Sequence, residues 1–267
     1  MSLFVSRNVI SILRRPIVAE KFRISLAEYS KRWLVNLVME SGDSASRGAL
    51  IVIEGCDRGG KTTQCGLLHK NLTQNGKNVQ LMKFPDRTTV IGKMINDYLT
   101  CKKEVDDHAV HLLFSANRWE RLPMMLELLR SGTSVIVDRY AYSGVCYTAA
   151  KEGFDMGWCR QPDIGLPRPD LVVYLTLSNE AASRRGHYGE ERYEQTNFQA
   201  RVAENFNTIK EDGWEVVDAD KSIDDLQMEL LSLCTDTIEK SAKKPIYKLW
   251  TKGTYNEVKP KDISGDV

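Results

Sequence analysis

Short, almost unbroken apolar runs alternate along this chain with longer stretches in which apolar residues recur at helical spacing. Runs at 49–54, 79–83, 134–137, 171–177 and 215–217 read as strands. Between and after them, 61–74, 90–99, 105–130, 142–152, 179–186, 196–210 and 223–240 read as helices. The punctuation agrees. Asn75-Gly76 and Ser131-Gly132 close two helices, Phe84-Pro85 stops the second strand, and Pro167 and Pro169 introduce the fourth. Pro123 lies inside the longest helix as its candidate break. Strands alternating with helices predict an α/β fold, a parallel sheet flanked by helices on both faces. Ligands of such sheets gather outside the carboxyl ends of the strands, where 54–62, 84–87 and 138–140 fall.

The two ends depart from this pattern. Residues 1–19 hold Arg7, Arg14 and Arg15 and no acid, with Leu3, Phe4, Val9, Ile10, Ile12 and Leu13 between the arginines. An Arg-rich, Ser-containing, acid-poor amphipathic leader has the composition of an organelle transit peptide, mitochondrial more than chloroplast. A disordered tail, or an extra helix docked around 26–38, is the other reading of the same segment. The expected organisation is a removable leader and linker over 1–48, a core domain over 49–250 and a poorly ordered tail over 251–267. Initiation at Met39 would yield a second, cytosolic or nuclear form without the leader.

Composition narrows the partners. A chain of 267 residues with 42% hydrophobic residues and a net charge of +1 accommodates one α/β core and offers no general nucleic-acid surface. Anionic ligands therefore need local clusters of Arg and Lys. No apolar run approaches the roughly 18 residues of a membrane span. The six cysteines, at 56, 65, 101, 146, 159 and 234, contain no C-x-x-C pair and read as free thiols in a reducing compartment.

The chemistry is concentrated in Gly55-Cys56-Asp57-Arg58-Gly59-Gly60-Lys61-Thr62, a G-x-x-x-x-G-K-[ST] loop between a strand and a helix. Gly55, Gly59 and Gly60 let successive N–H groups surround phosphates, Lys61 reaches the terminal phosphates, and the Thr62 hydroxyl is placed to ligate magnesium. Asp138, at a strand end, is a candidate magnesium-linked acid, directly or through water. Arg139 beside it offers a planar fork for a second phosphate. By itself Asp138-Arg139-Tyr140 would read as a capping and salt-bridge element. Asp57 would repel phosphate and so should face a neutral or hydroxyl-bearing group, while Arg58 could add charge where the phosphoryl group is transferred. No N-K-x-D sequence occurs, which removes the guanine-reading element of GTPases. Phe114 and Arg118, four apart on a helix, could stack on a base and bond its edge, or be a core ring and a solvated charge.

Six blocks, in order, carry a resemblance to the thymidylate kinases, particularly the eukaryotic type with an arginine in the phosphate loop. They are LIVIEGCDRGGKTT at 50–63, FPDR at 84–87, HLLFSANRWE at 111–120, DRYAYSG at 138–144, QPDIGLPRPD at 161–170 and GEERYE at 189–194. The resemblance runs from about Arg47 to Lys240, and more weakly to Trp250. It implies the nucleoside-monophosphate-kinase fold, with a five-stranded parallel sheet and a lid, and phosphoryl transfer from ATP-magnesium to dTMP. It also implies a homodimer. A kinase for another pyrimidine or a broader range of monophosphates, or a non-catalytic nucleotide-binding protein, are the competing readings.

By the same resemblance, Phe114 would stack on thymine, Arg118 would bond its O4 edge and Phe84 would line the base pocket. Arg87 and Arg139 would hold the dTMP phosphate, Asp57 would meet the sugar 3′-hydroxyl and Tyr193 would pack on the deoxyribose. Tyr147 and Gln199 would stand in the same monophosphate pocket. Gly55, Gly59, Gly60, Lys61, Thr62 and Thr63 would hold ATP, with Arg185, in a lid over 185–194, near the adenine. Lys61, Arg58, Asp138 and Arg139 would carry catalysis. Cys56, Gly59 and Asp86 depart from the family's commoner aliphatic, alanine and glutamate, and Cys56 puts a thiol of possible oxidation sensitivity in the loop.

Overall fold

The computed structural model describes residues 46–178, 181, 192–193 and 195–255. The leader, the helix expected over 179–186 apart from Ala181, and Arg184 and Arg185 lie outside the described residues. The strands are β1 (Leu50–Gly55), β2 (Val79–Lys83), β3 (Ser134–Asp138), β4 (Leu171–Thr176) and β5 (Glu215–Asp218). They form one parallel sheet in the order β2-β3-β1-β4-β5. Burial explains the sequence pattern. The central β1 and β3 are buried at every position, whereas edge strand β2 is only partly buried, with Val79 and Met82 covered and Gln80 and Lys83 exposed. The chain leaves β1 toward one edge and returns through β3 to reach the other, so a crevice opens between the ends of β1 and β3.

Helices cover both faces. α1 (Lys61–Gln74) and α7 (Ile223–Ser241) pack Cys65, Leu68, Leu72, Leu226, Leu230 and Cys234 against Ile51, Ile53 and Ile136. On the other face, α3 (Asp107–Arg130), α4 (Ala141–Ala149) and α6 (Thr196–Ile209) bring Met125, Val145 and Phe206 to Leu50, Val52 and Val137. α2 (Val90–Leu99) lies against α3 through Ile95, Tyr98, Leu99 and Val110.

Several expected boundaries move, each for a visible reason. α3 starts at Asp107 rather than 105 because the Asp106 carboxylate caps it, accepting from the N–H groups of His108 and Ala109. α3 also runs through Pro123 as one helix; burial of Met125 and Leu129 against the sheet outweighs the missing hydrogen bond. α4 spans 141–149 rather than 142–152, and its start is set by a residue distant in sequence. The buried Glu54 carboxylate accepts from the N–H groups of Tyr140 and Ser143 and from the Ser143 hydroxyl. A helix α5 (Met156–Arg160) and a 3₁₀ turn (Gln161–Asp163) follow, both too short to leave a periodic trace.

The ends of the described chain meet. Arg47 makes a bidentate pair with Asp170 at 2.7 and 2.6 Å, and its Nε donates to Lys244 O at 2.6 Å. Its backbone N–H donates to Ala242 O at 3.0 Å. Ordered contacts also run past Trp250: Thr254 pairs with Tyr247, and Tyr255 N–H donates to Ile246 O at 2.8 Å. Among the described residues no helix is long and apolar enough to cross a membrane.

Candidate active site

The loop after β1 enters α1 through Gly60, whose φ of 81° is left-handed backbone that a Cβ would strain. The α1 N-terminus has no side-chain cap, so its first N–H groups and the positive end of its dipole face the cleft. Arg58, at φ 69°, and Arg139, at φ 67°, hold left-handed conformations uncommon for side-chain-bearing residues. Strain at two arginines flanking one crevice is typical of a site fixed for function.

Lys61 folds back over the loop and donates from Nζ to Cys56 O at 2.5 Å. Burial pushes its ammonium down to about 8, and the nearby Arg139 charge acts in the same direction, against Asp57 and Asp138. The Lys61 ammonium is therefore incompletely compensated in the fold, and a bound phosphate would supply the missing negative charge. Arg139 pairs closely with Asp57 and donates from Nη1 to Gly55 O at 3.1 Å and Ser143 Oγ at 3.2 Å. Burial disfavours the Asp57 carboxylate, but Arg139 and Lys61 outweigh it and hold its pKa below the ordinary value. Gln199 clamps Asp57 from behind: Nε2 donates to the carboxylate at 2.7 Å and Oε1 accepts from the Asp57 N–H at 3.0 Å. Gln199 therefore reaches the cleft through Asp57.

Asp138 accepts the Thr62 hydroxyl at 2.6 Å on Oδ2, while its buried Oδ1 has no hydrogen-bond partner among the described residues. Lys83 Nζ stands 3.6 Å from Oδ2. An unsatisfied carboxylate oxygen beside a hydroxyl fits a hard cation. No group of three or more His, Cys, Asp or Glu ligands occurs among the described residues.

One cleft of about 900 Å³ is lined by Asp57, Arg58, Lys61, Thr62, Thr63 and Arg139 together with Phe84, Arg87, Phe114, Arg118, Tyr147 and Tyr193. Phe84 is buried with its ring 5.9 Å from Tyr140. Arg87 donates to Asn96 Oδ1 at 3.0 Å, which ties it to α2. Tyr193 stacks on Phe198 at 5.1 Å and places its edge near the Tyr147 ring. Gly55 and Gly59 shape the loop. Arg192, inside the 185–194 segment, lies 4.1 Å over the Tyr98 ring and pairs with Glu104 at 2.7 Å.

Other parts escaped the sequence. The β5–α7 loop, with Lys221 and Ser222, also lines the cleft, and its one local signal is the Ser222-x-x-Asp225 helix cap. In the sequence Glu54 reads as a strand residue, and Asp163 as one letter of a motif. The Cys56 thiol is half-buried, and burial pushes it up to about 11, so little thiolate exists near neutrality. The expected oxidation sensitivity therefore finds no support in its surroundings.

The thymidylate kinase family model matches residues 53–230. The chain is 48% identical over 210 residues to thymidylate kinases of Danio rerio and Homo sapiens, covering 78% of this chain and 99% of each relative. It is 46% identical over 206 residues to one from Arabidopsis thaliana, covering 77% of this chain and 78% of that one. A solved thymidylate kinase from Candida albicans, titled for broad substrate specificity, superposes with a TM-score of 0.70 at 40% identity over 77% of this chain and 99% of its own.

Proposed function

The chain belongs to the thymidylate kinase family and phosphorylates dTMP with ATP as co-substrate, and from that premise we propose how its cleft divides the work. The carrying observation is that one cleft joins the phosphate loop to Phe114 and Arg118, so two nucleotides can meet head to head. Phe114 stacks on thymine, Arg118 bonds its O4 edge, and Phe84 walls the base pocket. Arg87 and Arg139 hold the dTMP phosphate, Asp57 accepts from the sugar 3′-hydroxyl, and Tyr193, beside Tyr147, packs on the deoxyribose.

A phosphate oxygen of dTMP attacks the γ-phosphorus in line, so no side-chain base is required. Catalysis is positioning and charge neutralisation. Lys61 and the loop N–H groups hold the β- and γ-phosphates, and Arg58 meets the charge on the group in transfer. Thr62 and Asp138 would hold magnesium, which would supply neutralisation of phosphate charge there. Arg185, which lies outside the described residues, keeps its proposed role at the adenine. Release of ADP, measured with dTMP, dUMP, dCMP and dGMP in turn, tests the assignment. A clear preference for dTMP is expected, and equal use of a purine monophosphate would refute the base-pocket roles.

Two further proposals rest on the sequence. The first is a homodimer. Exposed apolar residues on α2 and α3, Val90, Met94, Leu112 and Met124, are consistent with it. Light scattering at a mass near 30.3 kDa would refute it. The second is a mitochondrial address for the full chain and another for a form begun at Met39. Identical distribution of the two tagged forms in cells would refute that.

A further inference from the structure

We infer that Asp163 is a positioning residue for base selection, locking the Arg118 guanidinium so that the cleft accepts a carbonyl base edge and refuses an amino edge. The inference rests on the reading of Arg118 as the base-edge contact. Ser115, Arg118 and Trp119 share one face of α3, and all three reach the 3₁₀ turn that precedes β4. Trp119 Nε1 donates to Pro162 O at 2.7 Å, and Ser115 Oγ donates to Asp163 Oδ1 at 2.7 Å. Arg118 donates from Nε to Oδ1 at 3.0 Å and from Nη2 to Oδ2 at 2.5 Å. The pair is sealed, with side-chain exposures of 2% for Arg118 and 0% for Asp163.

From the opposite side, α4 comes as close as its sequence allows. A Cβ on Gly144 would lie 2.8 Å from Arg118 Nη2. The guanidinium is thus held in its plane by a bidentate carboxylate and fitted against a residue with no side chain. Two consequences follow. The donors that remain on Arg118 have one fixed direction, and every one of them is a donor. A base with a carbonyl at the reading position accepts from them. A base with an amino group there brings donor against donor, and an arginine free to turn aside would relieve the clash. This one would have to abandon two buried charged bonds to do so. Asp163 also offsets the Arg118 charge locally, so the base end of the cleft competes less for phosphate.

The test compares kcat/KM for dTMP and dCMP, with ATP-magnesium, in the full chain and in Asp163→Asn, Ser115→Ala and Arg118→Met. Asp163→Asn should lower the dTMP-over-dCMP ratio by about tenfold or more, as expected when a contact group shifts by a fraction of an ångström. The loss should fall mainly on the KM for dTMP and less on kcat. Ser115→Ala removes one hydrogen bond to Asp163 without unpairing a charge, should fold, and should shift the ratio severalfold in the same direction. A merely structural role would lower both substrates equally and leave the ratio unchanged. If Asp163→Asn does not fold, Ser115→Ala decides alone. An unchanged ratio in Arg118→Met removes the base-edge reading itself. A collapsed ratio there, with the Asp163 and Ser115 variants unchanged, overturns the positioning role.

Discussion

Replacing Lys61 with methionine should make the ligand-free protein more stable while abolishing its activity. Lys61 is 5% exposed, and its pKa is lowered from 10.5 to about 8, chiefly by burial. At about 1.4 kcal/mol per pKa unit, the charged form is disfavoured in the fold by about 3 kcal/mol. That figure already includes the opposing attraction of Asp57 and Asp138. Methionine keeps the chain length and removes the ammonium, so ligand-free Lys61→Met should melt on the order of 5 °C higher near neutral pH. The sign can be checked by titration. A base whose folded pKa is depressed penalises the fold fully below about pH 8, and the penalty fades as pH rises toward 10.5, where both states are neutral. The difference between wild type and variant should shrink over that window. Saturating ATP should reverse the order by stabilising wild type more. The assays are calorimetry with and without ATP and steady-state ADP release. Near-normal turnover in Lys61→Met would refute the catalytic role. An unchanged or lower melting temperature in the ligand-free variant would refute the charge argument.

Phe114→Ala should raise the KM for dTMP by tenfold or more with a smaller effect on kcat, since stacking is lost in ground and transition states alike; a kcat-only defect would contradict this. Asp138→Asn should weaken the magnesium dependence of ATP turnover, seen as a shift of the metal titration to higher concentration. His111, fully buried between the Thr148 hydroxyl and Cys159 O, has its pKa lowered to about 4 from 6.5, mostly by burial. It should therefore destabilise the fold by up to about 3 kcal/mol as pH falls from 6.5 through 4. A His111→Gln variant with an unaltered acid melting profile would count against that. Cys56, with its thiol pushed to about 11, should react with iodoacetamide at neutral pH far more slowly than the exposed Cys101, as peptide mass spectrometry after timed labelling would report.

The strands and the phosphate loop were legible because their signals are local. Continuous apolar runs mark β1 and β3, and the glycine spacing of 55–62 fixes its own geometry. Motif order was the signal that set Phe114 and Arg118 beside the phosphate loop, and all of them line one cleft. Neither Phe114 nor Arg118 identified itself, since each has an ordinary structural reading. What remained hidden depends on partners far apart in the chain. Glu54 caps a helix that begins at 141, Gln199 clamps Asp57, and Asp163 holds Arg118 from a turn too short for periodicity. No window along the sequence contains both halves of any of these contacts. Arg192 is held in the same way, by Glu104 and Tyr98, which lie far from it in the sequence.

The clasp at Arg47 bears on the order in which the molecule can be completed. Its partners beyond Asp170 are backbone carbonyls at 242, 244 and 245, and the Arg47–Lys244 contact spans 197 positions. During synthesis or translocation from the N-terminus, the first anchor of the domain is therefore among the last contacts to close. Until the stretch after α7 has emerged, the entry to β1 lacks these ties, and whatever precedes Arg47 stays joined to an unfinished edge. A maturation cut or an alternative start upstream of Arg47 leaves the clasp whole, whereas one a few residues later would remove it.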